Sequence, residues 1–284
     1  VKYMKILIGL LLCMVFVIGG IYLYARFIEP KRLDITSHHI SSESIGEELD
    51  GFKIIQFSDT HIGEDYSIEQ LDELVQRINE VEPDLIVFTG DLIEDSSDFD
   101  KEDKVAESLS RLQAPYGTYA ISGNREVGGA GISPYEGILA KAGINFLRNE
   151  SITIDVNGES LVIVGLDDYM LGEPQPESAF AGVAAEDFTV TLVHEPDVVE
   201  DLKSYPFDLQ LSGHSHGGQV RLPIIGDLYT PPLAEKYPVG RYEIEGGIKP
   251  ITLYVNRGIG MARVPYRFLS IPEVSVFTLE SEQD

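Results

Sequence analysis

Apolar positions change their spacing several times along this 284-residue chain, and each change predicts a different element. Residues 6 to 25, ILIGLLLCMVFVIGGIYLYA, carry no charged side chain. About 20 such residues suffice for a helix to cross a bilayer. GGIYLYARF is a poor small-x-small cleavage site, and Leu12 rather than a small residue precedes Cys13. A retained membrane anchor over 6–25, behind a short tail over 1–5, is therefore expected rather than a cleaved leader or a lipoprotein signal. In RLDITSHHI (32–40), Leu33 and Ile35 begin a period-2 pattern, which predicts an edge strand within a connecting region over 26–50. His38 and His39 are read there as exposed edge residues, since no other ligand type accompanies them.

From residue 51 short apolar runs alternate with helical spacing. KIIQF (53–57) is a β-prone run, and SIEQLDELVQRINEVEPD (67–84) puts Ile68, Leu71, Leu74 and Ile78 on one helical face. Ser67 and Gln70 have capping-box spacing, and Pro83 marks the end. DLIVF (84–88) reads as a buried strand, a charged segment near 98–112 as helical, and TYAI (118–121) as a third strand. This order indicates βαβ units and a sheet that is at least partly parallel. Further on, SITI (151–154) and LVIVGL (161–166) flank Asn157-Gly158 as a hairpin. TVTLVH (189–194), FDLQLSGH (207–214), ITLYV (251–255) and VSVFTL (274–279) read as strands. LGEPQPE (171–177) and GDLYTPPLAEKYP (226–238) read as long loops near the functional edge. Without a repeat or a composition break, 51–280 is taken as one α/β domain followed by a tail over 281–284.

Composition narrows the function. At 43% hydrophobic the chain can bury a sizeable core, and the net charge is −26. Five basic residues and one acid precede residue 33, so the remainder carries −30. A surface this acidic repels nucleic-acid backbones and anionic lipid head groups, and nucleic-acid binding is not expected. The lone Cys13 excludes an intramolecular disulfide and any cysteine metal cluster.

Five chemically loaded clusters end predicted strands: Asp59-Thr60-His61, Gly90-Asp91, Gly123-Asn124, His194, and GHSHGG with His214 and His216. Ligand sites in open α/β sheets form at that edge. Singly they say little, because Gly-Asp and Gly-Asn are ordinary turn pairs and a lone histidine is ordinarily a packed one. Together they place four of six histidines, two carboxylates and one amide at one edge. That donor mixture suits Mn, Fe, Zn or a similar divalent ion and not calcium. Seven donors exceed the needs of one ion but suit two ions, about 3.5–4 Å apart, sharing a carboxylate.

The order DTH, GD, GN-x-E, H, GHSH resembles the calcineurin-like metallophosphoesterase family over roughly residues 51 to 280. GHSHGGQVRLP (213–223) and YVNRGIG with PYRFLSIPEV (254–274) look like its bacterial YkuE/YaeI-like, membrane-associated branch. The resemblance implies a four-layer α/β/β/α sandwich, two mixed sheets flanked by helices, with metals at the loop edge. It implies that Asp59, His61 and His216 hold one ion, that Asp91 bridges, and that Asn124, His194 and His214 hold the other. Hydrolysis would proceed by attack of a metal-bridging hydroxide on a phosphodiester, a pyrophosphate or an activated phosphomonoester, including lipid-linked and cell-envelope substrates. Lys2 and Lys5 before the anchor are matched by Arg26, Lys31 and Arg32 after it, so charge leaves the orientation open. The short N-terminal tail is what favours a single pass with the catalytic domain outside the cytoplasm. A non-catalytic scaffold of the same fold is the alternative; its mark would be lost ligands.

One position departs from the family. Where most relatives have histidine, this chain has Arg125, which keeps its proton near neutral pH and cannot protonate a leaving group. It can grip phosphate oxygens bidentately and offset developing charge. Arg125 therefore favours leaving groups that depart without a proton, and UDP-diacylglucosamine pyrophosphatases resemble this chain in having Gly-Asn-Arg-acid here. Asn124 and Arg125 are the expected catalytic pair. Asp167-Asp168 is read either as a substrate-positioning pair or as a plain turn, and Tyr229, Tyr237, Arg257 and Arg267 as candidate pocket residues.

Overall fold

The computed structural model describes residues 2–95, 99–129 and 131–282. Residue 1 of the expected first tail, residue 98 of the charged segment and the last two residues of the 281–284 tail lie outside the described residues. Helix α1 (Lys2–Phe27) runs a turn beyond the expected 6–25 at its start. Among the described residues it is the one helix long and apolar enough to cross a membrane, and its most apolar stretch has no partner in the protein.

The strands in chain order are β1 (Asp34–Ser42), β2 (Lys53–Phe57), β3 (Leu85–Phe88), β4 (Thr118–Ala120) and β5 (Asn145–Phe146). They continue as β6 (Glu150–Val156), β7 (Glu159–Gly165), β8 (Phe188–Leu192) and β9 (Leu209–Ser212). A short hairpin follows, β10 (Arg221–Leu222) and β11 (Gly226–Asp227), then β12 (Gly240–Ile244), β13 (Ile251–Val255) and β14 (Glu273–Ser281). The helices after α1 are α2 (Ile68–Asn79), α3 (Glu102–Leu109), α4 (Asn124–Gly128), α5 (Ile132–Ala142), α6 (Pro176–Ala179) and α7 (Val199–Leu202).

Two six-stranded sheets result, in the orders β1-β14-β2-β3-β4-β5 and β12-β13-β9-β8-β7-β6. Both are mixed: β2 to β5 run parallel while β14 is antiparallel to β2, and β7, β8, β9 and β13 run parallel between antiparallel edge strands. Successive strand side chains point to opposite faces, so a strand apolar on both faces is buried on both. Ile54, Leu85 and Val87 meet Ile163, Val190 and Leu211 of the second sheet. Their neighbours Ile55, Ile86 and Phe88 instead pack against Leu71, Leu74 and Ile78 of α2. On the far side Val162 and Val164 are covered by Ala179, Val199 and Leu202. The result is the expected four-layer α/β/β/α sandwich.

Local chemistry accounts for several ends. Ser67 and Gln70 form the reciprocal capping box at the start of α2. Asn157 and Gly158 both take positive φ, 54° and 101°, as a two-residue β6–β7 turn requires. Three readings need correction. Among its described residues, the segment near 98–112 is helical only over Glu102–Leu109. β11 falls within the 226–238 stretch read as a loop, and β10 and β12 lie where no element was read. His38 is half-buried, its ring against Tyr254 and Phe277 at 4.4 and 5.5 Å, so only His39 is an exposed edge histidine.

Candidate metal centre

The parallel strands of both sheets end on one edge, and the loops leaving β2, β3, β4, β8 and β9 carry the candidate residues there. Two buried groups form: Asp59, His61 and His216, and Asp59, Asp91 and His194, each with its donor atoms within 4.8 Å of one another. Asp91 Oδ2 lies 3.5 Å from Nε2 of both His61 and His194, and Asp59 Oδ1 lies 3.4 Å from His216 Nε2. Asp59 is thus common to both groups, while Asp91 stands evenly between two rings. The His214 ring packs on His194 with centroids 4.9 Å apart, outside either group, and its Nε2 meets the Pro232 carbonyl at 3.0 Å, leaving Nδ1 as its other nitrogen.

Neighbouring groups set the orientation of each ring. His194 Nδ1 meets the carbonyl oxygen of Thr89 at 2.6 Å, which turns Nε2 inward. That Nε2, like Asn124 Oδ1, is buried without a hydrogen-bond partner. Buried polar atoms rarely stay unpaired, so both orphans, among carboxylate oxygens and imidazole nitrogens, fit a divalent ion. Glu94 holds Nδ1 of His61 at 2.5 Å with one oxygen and Arg125 at 3.1 Å with the other. Glu126 accepts the N–H groups of Asp91, Leu92 and Gly123, tying the β3 and β4 loops together.

The backbone here is strained. Asp59, His61, Asp91, His214 and His216 all have φ between 45° and 67°. Each such residue costs on the order of 1–2 kcal/mol, and such conformations persist only where the surroundings impose them. Close approach adds its own demand at two glycines. A Cβ on Gly123 would lie 2.4 Å from Asp91 Oδ1, and one on Gly213 would lie 2.3 Å from Asp59 Oδ2.

Electrostatically the site is a well for positive charge. Burial pushes the Asp59 carboxyl up, but the His216, His61 and His194 rings outweigh it and hold it far below the usual range. Burial pulls His61 down, yet its bonds to Asp59 and Glu94 raise it to about 9. His194 likewise ends well above its ordinary value because Asp91 and Asp59 overcome burial. His216 moves the other way, lowered by burial and by the His61 and Arg267 charges.

A cleft of about 660 Å³ opens over the centre, with His61, Asp91, Asn124, Arg125, His214 and His216 at its floor. Tyr229 lines it, as do Arg263, which nothing in the sequence marked, and Tyr266, which stood only within the PYRFLSIPEV stretch. Arg257 and Tyr237 belong elsewhere: Arg257 pairs with Glu273 and Asp34, and Tyr237 binds Glu200. Asp167 is buried against Arg148, Ser122 and the N–H groups of Asp168 and Glu173, which makes it a loop anchor. Glu94 escaped sequence reasoning, its one signal being a carboxylate three residues beyond Asp91, while Glu126 entered only as the acid of the GN-x-E motif, with no role given to it.

Geometry and ancestry agree. The sequence model of the calcineurin-like phosphoesterase family matches residues 52–218, more than half of the chain, and the chain belongs to that family. Within it, the chain is 41% identical to the metallophosphoesterase YkuE of Bacillus subtilis, covering 99% of this chain and 97% of that one. It is 28% identical to phosphodiesterase YaeI of Escherichia coli, over 90% and 92% of the two chains. UDP-2,3-diacylglucosamine pyrophosphatase LpxG of Chlamydia muridarum is 27% identical over the same shares.

Proposed function

We propose that the protein is a phosphoesterase working with two divalent ions, and the observation that carries this is the pair of buried His/carboxylate groups sharing Asp59. Asp59, His61 and His216 would hold the first ion, Asn124, His194 and His214 the second, and Asp91 would serve both. Bound there, the ions supply Lewis-acid polarisation of a phosphoryl oxygen and lower the pKa of water. The chain's own residues position the substrate. Arg125, half-buried at the cleft floor, offers a planar fork for two phosphoryl oxygens, while Glu94 restrains it and holds the His61 tautomer. The residue next to Asn124 in the chain is Arg125 rather than a histidine able to donate a proton, so the substrates that fit are those whose leaving group departs as a stable anion. Pyrophosphates and aryl or nucleotidyl phosphodiesters qualify, and the pyrophosphatase relative makes a lipid-linked pyrophosphate one candidate.

Hydrolysis of bis-p-nitrophenyl phosphate by the full chain in mild detergent tests this reading. Activity is expected with Mn, lost with chelator and restored by added Mn; a rate indifferent to both would end the proposal. Arg125→His is expected to raise hydrolysis of esters with poor, alkoxide leaving groups about tenfold or more relative to nitrophenyl esters, since positioned general acids contribute about 10²–10⁴-fold. An unchanged ratio would mean that Arg125 does not select the leaving group.

A further inference from the structure

Apolar side chains exposed outside α1 are not scattered. Among the described residues, the large ones other than Leu171 and Ile248 fall at Ile28, within 224–233, and at Val264 and Leu269. The first outlying group is the tip of the β10–β11 hairpin. Ile224 is fully exposed and Ile225 is 70% exposed, with Leu228 and Tyr229 following. Ile224 has φ 73°, a left-handed backbone that β-branched residues seldom adopt.

The hairpin and the membrane-length helix are fastened to the same segment. Val220 bridges Phe268, and Arg221 N–H donates to the Phe268 carbonyl at 2.8 Å. The Phe268 ring meets Tyr24 of α1 edge-on at 6.4 Å, and Arg267 N–H donates to the Ala25 carbonyl at 3.0 Å. Ser270 N–H is held by Glu29 at 2.6 Å. The cleft is lined both by the chain just after the hairpin, Leu228, Tyr229 and Pro231, and by Ala262 to Val264 with Tyr266, just before the docked segment. Charge follows the same layout. In a chain of net charge −26, exposed Lys31 and Arg32 follow the helix, and Arg263 stacks over Tyr229 at 4.7 Å. Basic and aromatic side chains beside an apolar tip are what an anionic lipid surface attracts.

We propose that the β10–β11 hairpin dips into the bilayer beside α1 and holds the mouth of the cleft at the lipid surface, so that the cleft takes phosphoesters of membrane-embedded amphiphiles. The substrate half rests on the phosphoesterase reading above; the membrane contact does not. Small apolar insertions next to a spanning helix add buried area and fix the rotation of the domain about its anchor. Here they also shorten the path of a lipid phosphate from the interface to Arg125.

The test uses the full chain carrying Cys13→Ser, in vesicles of phosphatidylcholine and phosphatidylglycerol. Ile224→Cys and, as a control of comparable exposure, Ile248→Cys are each labelled with an environment-sensitive nitrobenzoxadiazole dye. At 224 a blue-shifted emission, quenched at least about twofold by doxyl-labelled lipid and protected from iodide, is expected; at 248 the reverse. Iodide quenching at 224 equal to that at 248 overturns the proposal. A blue shift insensitive to both quenchers also overturns it, by showing a protein partner or second copy on the tip. In a second arm, the double variant Ile224→Glu, Ile225→Glu should hydrolyse soluble bis-p-nitrophenyl phosphate at the unaltered rate. On a hexadecyl p-nitrophenyl phosphodiester embedded in the same vesicles it should slow about tenfold or more. Equal rates on the embedded ester overturn the proposal, whereas absence of any metal-dependent rate in the unaltered chain defeats the phosphoesterase reading and leaves the dye result to stand.

Discussion

Asp91→Asn is expected to lower kcat on bis-p-nitrophenyl phosphate by at least about 10³-fold while leaving the fold intact. The amide is isosteric and keeps an oxygen for the Arg125 N–H, which Asp91 Oδ1 accepts at 2.8 Å. It lacks the charge that lies between His61 and His194 at 3.5 Å from each. Metal ions contribute several kcal/mol of charge stabilisation to phosphoryl transfer, and about 4 kcal/mol corresponds to that factor. Metal content measured on the same preparation separates two arrangements. If Asp91 bridges, the variant falls below about one ion per chain; if Asp59, the carboxylate common to both groups, is the bridge, Asp59→Asn shows the greater loss. Circular dichroism checks the fold. Activity within tenfold of the unaltered protein would remove Asp91 from the centre.

That such a variant can be chosen from sequence at all reflects what short-range patterns encode. β2 and β13 coincide with their apolar runs, because strands apolar on both faces have few alternatives to a sheet interior. The α2 cap and the Asn157-Gly158 turn were legible for a similar reason: each is local chemistry between residues at most three apart. α5 was not, since Pro134 and Gly137 interrupt ISPYEGILAKA and its helicity comes from packing Tyr135, Ile138 and Leu139 on the first sheet. The candidate donors stood out as histidines in a chain with six. Glu94 was hidden among 47 acidic residues and Glu126 showed only as the acid of GN-x-E; their roles exist only because folding brings them to His61 and to the Asp91 loop. No pattern foretells the left-handed backbone at five of these positions, which follows from loops of both sheets converging on one edge.

Arg267 makes the same point in energetic terms, and its replacement carries the largest expected effect on stability. In sequence it was one of four indistinguishable pocket candidates; in the fold it is wholly buried. Its guanidinium donates to the carbonyls of Gly260, Arg257 and Ser270 at 2.6 to 2.9 Å and reaches His216 Nδ1 at 3.2 Å. Burial pulls its pKa down to about 9 although Asp59, Glu29 and Glu273 favour its charge. Arg267→Met keeps the length of the side chain but strands three carbonyl oxygens, each at roughly 1–3 kcal/mol, and removes the charge that Glu29 faces. A net loss of about 3–5 kcal/mol is expected, as for other buried ionic groups left without a partner. In a chain of this size that lowers Tm by roughly 10 °C. Arg267→Lys, with a charge but no planar fork, should fall between the two. Thermal unfolding of the chelated proteins measures this, and a Tm within about 2 °C of the unaltered protein would show the network to be dispensable. The Arg267 N–H that donates to the Ala25 carbonyl is backbone and survives the substitution. The methionine variant should therefore loosen the seat of the membrane-length helix through Glu29, which loses the charge it faces while holding the Ser270 N–H, as well as the His216 loop. Faster proteolysis near residue 28 would register that loss separately from catalysis.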